Sequence, residues 1–205
     1  MINRRGQVKR REKFKKRIFK ILGNKCSECG FDDERTFQIS SITNLGKKIS
    51  KNNNGNKFLR CLFKMSPEEL RNNFQLLCSN CNWIKKINLK DRGRPKKISK
   101  DPEINKKREY ARKLMKGSSL KLRTNIFNII GSSCKNCGIK DIRVLRIDHI
   151  NSDGGIERRK YPGNKLYYHI LSLNPDEAKK RYQTLCVNCN NIKKYVENEL
   201  VRSKT

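Results

Sequence analysis

Eight of the nine cysteines stand in four Cys-x-x-Cys pairs: Cys26 with Cys29, Cys78 with Cys81, Cys134 with Cys137, and Cys186 with Cys189. Cys61 is left over. Two residues between thiols suit a tight loop that offers both sulfurs to one ion, and two such loops complete the four-thiolate shell of structural zinc. Disulfides and thioredoxin-type redox pairs are the alternatives. The first belong to secreted frameworks and the second to a single pair near a βαβ pattern. The spacing therefore predicts two structural zinc ions, one on Cys26, Cys29, Cys78 and Cys81 and one on Cys134, Cys137, Cys186 and Cys189.

The two sets superimpose at a constant offset of 108 (134 − 26, 186 − 78), so the chain is a tandem repeat. Laying residues 18–86 over 126–194 without a gap gives 26 identities in 69 positions. Ile18-Phe19-x-Ile21-x-Gly23 recurs as Ile126-Phe127-x-Ile129-x-Gly131, and Gln75-x-Leu77-Cys78-x-Asn80-Cys81-Asn82-x-Ile84-Lys85-Lys86 recurs from Gln183 to Lys194. The division predicted is a first unit at 1–87 with a basic arm, a linker at 88–117, and a second unit at 118–205. Residues 12–22 and 118–130 read as helices stopped by glycine. Thr36–Ile42 and Val144–Ile150 are short β-prone runs followed by turn-rich stretches, which predicts a hairpin. Ser66-Pro67 and Asn174-Pro175 each read as an N-cap with proline at N1, so a helix starts at each. A basic helix follows each second cysteine pair, at Asn82–Leu89 and Asn190–Leu200. The fold class expected is α+β: two tandem zinc-stabilised units joined by a basic linker.

Of the 205 residues, 50 are Lys or Arg and 19 Asp or Glu, a formal net charge of +31. Such an excess resists compaction unless a polyanion neutralises it, which makes nucleic acid the leading partner. No window offers the run of apolar residues a spanning helix needs, and the first 25 residues lack the apolar core of a secretory signal. An intracellular protein is expected, in a prokaryotic cytoplasm, a virus-infected cell or a DNA-containing organelle. Arg92-Gly93-Arg94-Pro95-Lys96-Lys97 resembles an AT-hook core, whose guanidinium groups enter a narrow A/T minor groove. Lys85, Lys86, Lys193 and Lys194 join Arg92, Arg94, Lys96 and Lys97 as expected DNA contacts.

The copies diverge at one informative place. Opposite Ile147-Asp148-His149-Ile150 stands Ile39-Ser40-Ser41-Ile42, so the isoleucines persist while the polar pair changes. A strand needed for folding in both copies, with chemistry in one, would leave that pattern. A neutral imidazole can take a proton from water, and a carboxylate beside it can hold a divalent cation at a phosphate.

Cys134-x-x-Cys137, Asp148-His149 and Leu185-Cys186-Val187-Asn188-Cys189-Asn190-Asn191-Ile192-Lys193 together resemble the zinc-knuckle branch of the HNH, or ββα-metal, nucleases. The resemblance spans residues 134–194 and, in degraded form, 26–86. It implies that His149 is the general base, that Asp148 and Asn190 hold one Mg2+ or Mn2+ ion, and that the zincs lie away from the chemistry. It also implies a metal-dependent endonuclease on double-stranded DNA, of homing or restriction type, with a degenerate first unit and one active site per chain. A double-strand break would then need two chains, as in a homodimer, or two successive visits. The family's central Asn, five residues before the third cysteine, is Arg181 here, while the first unit has Asn73. Asn164 or Asn151 is expected to take that role, or Arg181 to contact phosphate. The alternative is a non-catalytic zinc-dependent DNA- or RNA-binding protein.

Overall fold

The structure, a computed structural model, describes residues 4–53, 55–90 and 101–203. Arg92, Arg94, Lys96 and Lys97 of the AT-hook-like segment lie outside them. The chain divides into two compact units, Met1–Lys85 and Lys86–Thr205, each an α+β arrangement around a two-stranded sheet. Among the described residues no helix is long and apolar enough to cross a membrane.

In the first unit the elements run α1 (Arg4–Ile21), β1 (Gln38–Ser41), α2 (Asn44–Asn52), α3 (Gly55–Lys64), α4 (Pro67–Asn73), β2 (Phe74–Leu77) and α5 (Ser79–Lys90). The second runs α6 (Pro102–Ile130), β3 (Leu145–His149), α7 (Gly154–Lys160), α8 (Asn164–Ser172), α9 (Pro175–Arg181), β4 (Tyr182–Cys186) and α10 (Val187–Ser203). The helix starts at Pro67 and Pro175 stand where the sequence puts them. Ser66 and Glu69 form a reciprocal capping box, and the Asn174 side chain accepts from the Asp176 amide.

Three expectations are corrected. The β-prone runs do not fold back as hairpins: β1 pairs antiparallel with β2, and β3 with β4, across three intervening helices. The Gly- and Asn-rich stretches after each strand open helices instead of turning the chain. Residues 102–117, expected as linker, are the first half of α6, capped by the Asp101 side chain on the Glu103 amide with Pro102 at N1. The helices of the second knuckles begin at Ser79 and Val187, three residues early, so Cys81 and Cys189 lie in their first turns.

The duplicated apolar positions build duplicated cores. Ile18, Leu62, Leu70 and Phe74 pack together in the first unit, and their counterparts Ile126, Ile170, Ala178 and Tyr182 do so in the second. These cores clamp the first helix of each unit against the helices preceding the second strand, which fixes the sheet edge carrying residues 148 and 149.

Candidate functional site

Each pair of cysteine loops brings four sulfurs within 4.8 Å of one another, a set that could hold a metal ion such as zinc. Gly30 and Gly138 both take φ +73° to turn the first knuckle, where the Gly amides donate to the Cys26 and Cys134 carbonyls. Ser27 and Lys135 amides pin that loop to the Leu76 and Thr184 carbonyls. Across the shell, Cys29 and Cys78 sulfurs are 3.7 Å apart, as are those of Cys137 and Cys186. A tetrahedron with Zn–S bonds of about 2.3 Å has edges of about 3.8 Å, so the sulfurs stand at zinc-ligand spacing. Burial raises the thiols of Cys81 and Cys189, and the neighbouring sulfurs raise them further. For Cys26 and Cys134 burial is outweighed by backbone hydrogen bonds, which bring each down to about 7.

At the end of β3, Asp148 and His149 are 8% and 5% exposed, and Asn190 on α10 is 8% exposed. The sequence-predicted trio is thus brought together. Asn190 Nδ2 donates to Asp148 Oδ1 at 2.8 Å, and Gln183 Nε2 and Lys193 Nζ donate to Oδ2 at 2.9 and 2.8 Å. Lys193 also donates to the His149 and Ile150 carbonyls. Its counterpart Lys85 donates to Ser40 Oγ and the Ser41 carbonyl. Of the four described lysines expected to contact DNA, Lys85 and Lys193 are therefore engaged inside their own units, while Lys86 and Lys194 are exposed.

His149 has a partner that sequence reasoning missed. Its Nε2 lies 2.5 Å from Glu157 Oε2 on α7, both groups buried. Glu157 Oε1 accepts from the Tyr182 hydroxyl and from Arg181, each at 2.6 Å, and His169 Nε2 approaches it to 3.5 Å. Burial alone would raise the Glu157 carboxyl. The Tyr182 and His149 hydrogen bonds, with the His149 and Arg181 charges, outweigh it and hold it below the usual range. Glu157 Oε2 engages His149 Nε2, which leaves Nδ1 as the ring nitrogen that Glu157 does not hold. That edge lies on Gly154, where a Cβ would stand 2.6 Å from Nδ1. Only glycine at 154 lets α7 pack this closely against that edge.

Neither Asn151, exposed in the turn after β3, nor Asn164, the first residue of α8, holds the His149 ring. Glu157 does, and Arg181, instead of standing free for phosphate, holds Glu157. In the first unit the counterparts of His149, Glu157, His169, Arg181 and Tyr182 are Ser41, Ile49, Cys61, Asn73 and Phe74. The whole network is absent there: Ile49 packs on the Phe74 cluster, Ser41 pairs with Ser50, and Asn73 accepts from Thr43. This concerted change was visible in the repeat alignment at four positions beyond the Asp-His pair.

The hard-cation chemistry attributed to Asp148 and Asn190 calls for oxygen donors. Asp148 offers a carboxylate, but Asn190 presents its amide nitrogen to Oδ1, and Gln183 and Lys193 both donate to Oδ2, so a cation there would have to displace these donors. Comparison of the chain with family models, with curated proteins and with solved structures finds no match.

Proposed function

We propose that the protein is a metal-dependent DNA endonuclease of the HNH type, with the second unit catalytic and the first a degenerate copy that binds DNA. The observation carrying this reading is the buried His149–Glu157 pair beside Asp148 and Asn190, present in one copy and dismantled as a set in the other. Buried charge networks add little net stability over apolar packing, so a network kept in only one of two otherwise equivalent cores is explained better by chemistry than by folding. The order β3, β4, α10, with the base at the end of one strand and Asn190 on the following helix, is also the order that the ββα-metal resemblance calls for.

His149 Nδ1 takes a proton from the attacking water, the P–O bond to the leaving oxygen breaks, and that oxygen is protonated from solvent. Glu157 holds the ring by Nε2–H and stabilises the imidazolium as it forms, while Arg181 and Tyr182 hold Glu157. Asp148 and Asn190 would hold Mg2+ or Mn2+, which when bound neutralises charge on the scissile phosphate and leaving oxygen. Zinc on Cys134, Cys137, Cys186 and Cys189 would tie the first knuckle to the end of β4 and the start of α10. One site per chain implies one nick per binding event, and two chains or two successive visits for a double-strand break.

A second reading, a non-catalytic zinc-dependent nucleic-acid-binding protein, is favoured by one feature: the Lys193 ammonium already neutralises Asp148. Supercoiled plasmid separates the two. The zinc-loaded protein is incubated with and without added Mg2+, omitting chelator, which would also strip zinc. Magnesium-dependent nicking that His149→Ala lowers by about 10² to 10⁴ supports the nuclease. Intact plasmid at saturating protein leaves only the binder.

A further inference from the structure

The second unit has a cleft of about 310 Å³ on the far side of Tyr161 from Glu157, lined by Arg123, Arg146, Arg158, Tyr161 and Tyr167 over an apolar floor that includes Ile147. We propose that this cleft is a subsite for a backbone phosphate of the nucleic acid, an inference that rests on nucleic acid being the partner but not on cleavage. Three arginines line it, from α6, β3 and α7. Arg123 is fixed by its hydrogen bonds to the Leu145 and Ile142 carbonyls, at 2.9 and 3.4 Å. Arg146, half-buried, follows Leu145 on β3. Guanidinium groups bind phosphate oxygens in bidentate fashion. Tyr167 supplies a ring and hydroxyl against which a sugar or base can rest, while the Tyr161 ring is stacked on His169.

The repeat argues that this is a site and not merely a basic surface. At the positions of Arg123, Arg146, Arg158, Tyr161 and Tyr167 the first unit has Lys15, Gln38, Ser50, Asn53 and Leu59. The arginine cleft is thus specific to the unit that also carries His149 and Glu157. Arg146 shares β3 with Asp148 and His149, so a strand held at this cleft is held on the element that carries the site.

The test is fluorescence anisotropy of labelled duplex DNA with the full-length zinc-loaded protein in magnesium-free buffer, titrated at several salt concentrations. Arg146→Gln, which copies Gln38, should weaken binding about tenfold and reduce the slope of log affinity against log salt by about 0.9, the loss of one phosphate contact. Arg158→Ser, on the exposed face of α7, should act in the same direction and serves if Arg146→Gln fails to fold. Lys179→Ser removes the same charge from α9 and should change the slope far less. Unchanged affinity and slope in Arg158→Ser and a folded Arg146→Gln would overturn the proposal, and so would an equal loss in Lys179→Ser. A loss seen for inorganic phosphate but not for DNA would place a free anion there and overturn the backbone assignment. The plasmid assay is independent: a protein that never cuts but loses slope in Arg146→Gln keeps the subsite and loses the nuclease.

Discussion

Glu157 decides how His149 behaves. Replacing it by Gln keeps the shape but removes the charge that fixes the Nε2–H tautomer, so cleavage should fall by about 10² or more, measured as initial nicking rate at saturating DNA. The same change leaves Tyr182 and Arg181 without their ionised acceptor, a loss of about 2 kcal/mol, since hydrogen bonds to charged groups contribute about 1.5–3 kcal/mol each. Installing four of the first unit's five residues instead, His149→Ser, Glu157→Ile, Arg181→Asn and Tyr182→Phe, should cost less stability than Glu157→Gln alone while abolishing cleavage. Denaturant unfolding of the two variants checks that order; a quadruple variant far less stable than Glu157→Gln would mean the network exists for folding. The sign of the pH effect follows from the lowered Glu157 pKa. A depressed carboxylate contributes stability that is complete above its ordinary pKa of about 4.3 and is lost only as pH falls through its lower folded value, so this group does not limit the protein near neutrality.

Between elements, the critical contact is α7 against the end of β3. Gly154→Ala would set a methyl 2.6 Å from His149 Nδ1. Cleavage should be lost by about 10² or more, because either the ring or α7 must shift. Gly155→Ala on the same helix meets nothing within 4 Å; it should retain activity and gain up to about 1 kcal/mol, the helix preference of Ala over Gly. Equal rates in both variants would remove α7 from the site. Much at this scale was legible in the sequence. The cysteine offsets yield both sulfur clusters, and Pro67 and Pro175 mark true helix starts, because capping and metal-knuckle geometry are local. The strand partners were not legible: Phe74–Leu77 and Tyr182–Cys186 carry no turn signal connecting them to β1 and β3, and their pairing spans three helices. Glu157 was missed for the same reason. It lies eight residues beyond His149, on a helix hidden within a stretch that reads as turn, and only the fold brings it back onto the imidazole.

For the whole molecule the deciding question is what keeps each small core folded under a net charge of +31, and the sulfur clusters are the candidates. Binding to a site that exists only in the folded state supplies folding free energy, so stripping metal from both clusters should unfold both units, and full-length protein should contain two zinc ions by elemental analysis. Cys61, opposite His169 in the repeat, lies outside both clusters, and Cys61→Ser should leave that count at two. Zinc uptake must also release protons. In the metal-free shells Cys29 and Cys81, and likewise Cys137 and Cys189, are raised above the ordinary thiol value of 9.0, so at pH 7 at least two protons leave per zinc bound. Affinity therefore rises with pH, and each unit of acidification weakens it by about a hundredfold or more. Starting from apparent binding free energies of about 10–16 kcal/mol for structural zinc at pH 7, two units of acid weaken the sites about 10⁴-fold. At the weaker end of that range this empties the sites at micromolar protein before Glu157 starts to protonate, and at the stronger end it takes further acid. Acid unfolding should accordingly coincide with zinc release followed by a chromogenic chelator, and added zinc should shift its midpoint to lower pH. Calorimetry in buffers of different ionisation enthalpy counts the protons directly; fewer than two per zinc at pH 7, or an acid midpoint indifferent to zinc, would show that the clusters do not hold the fold.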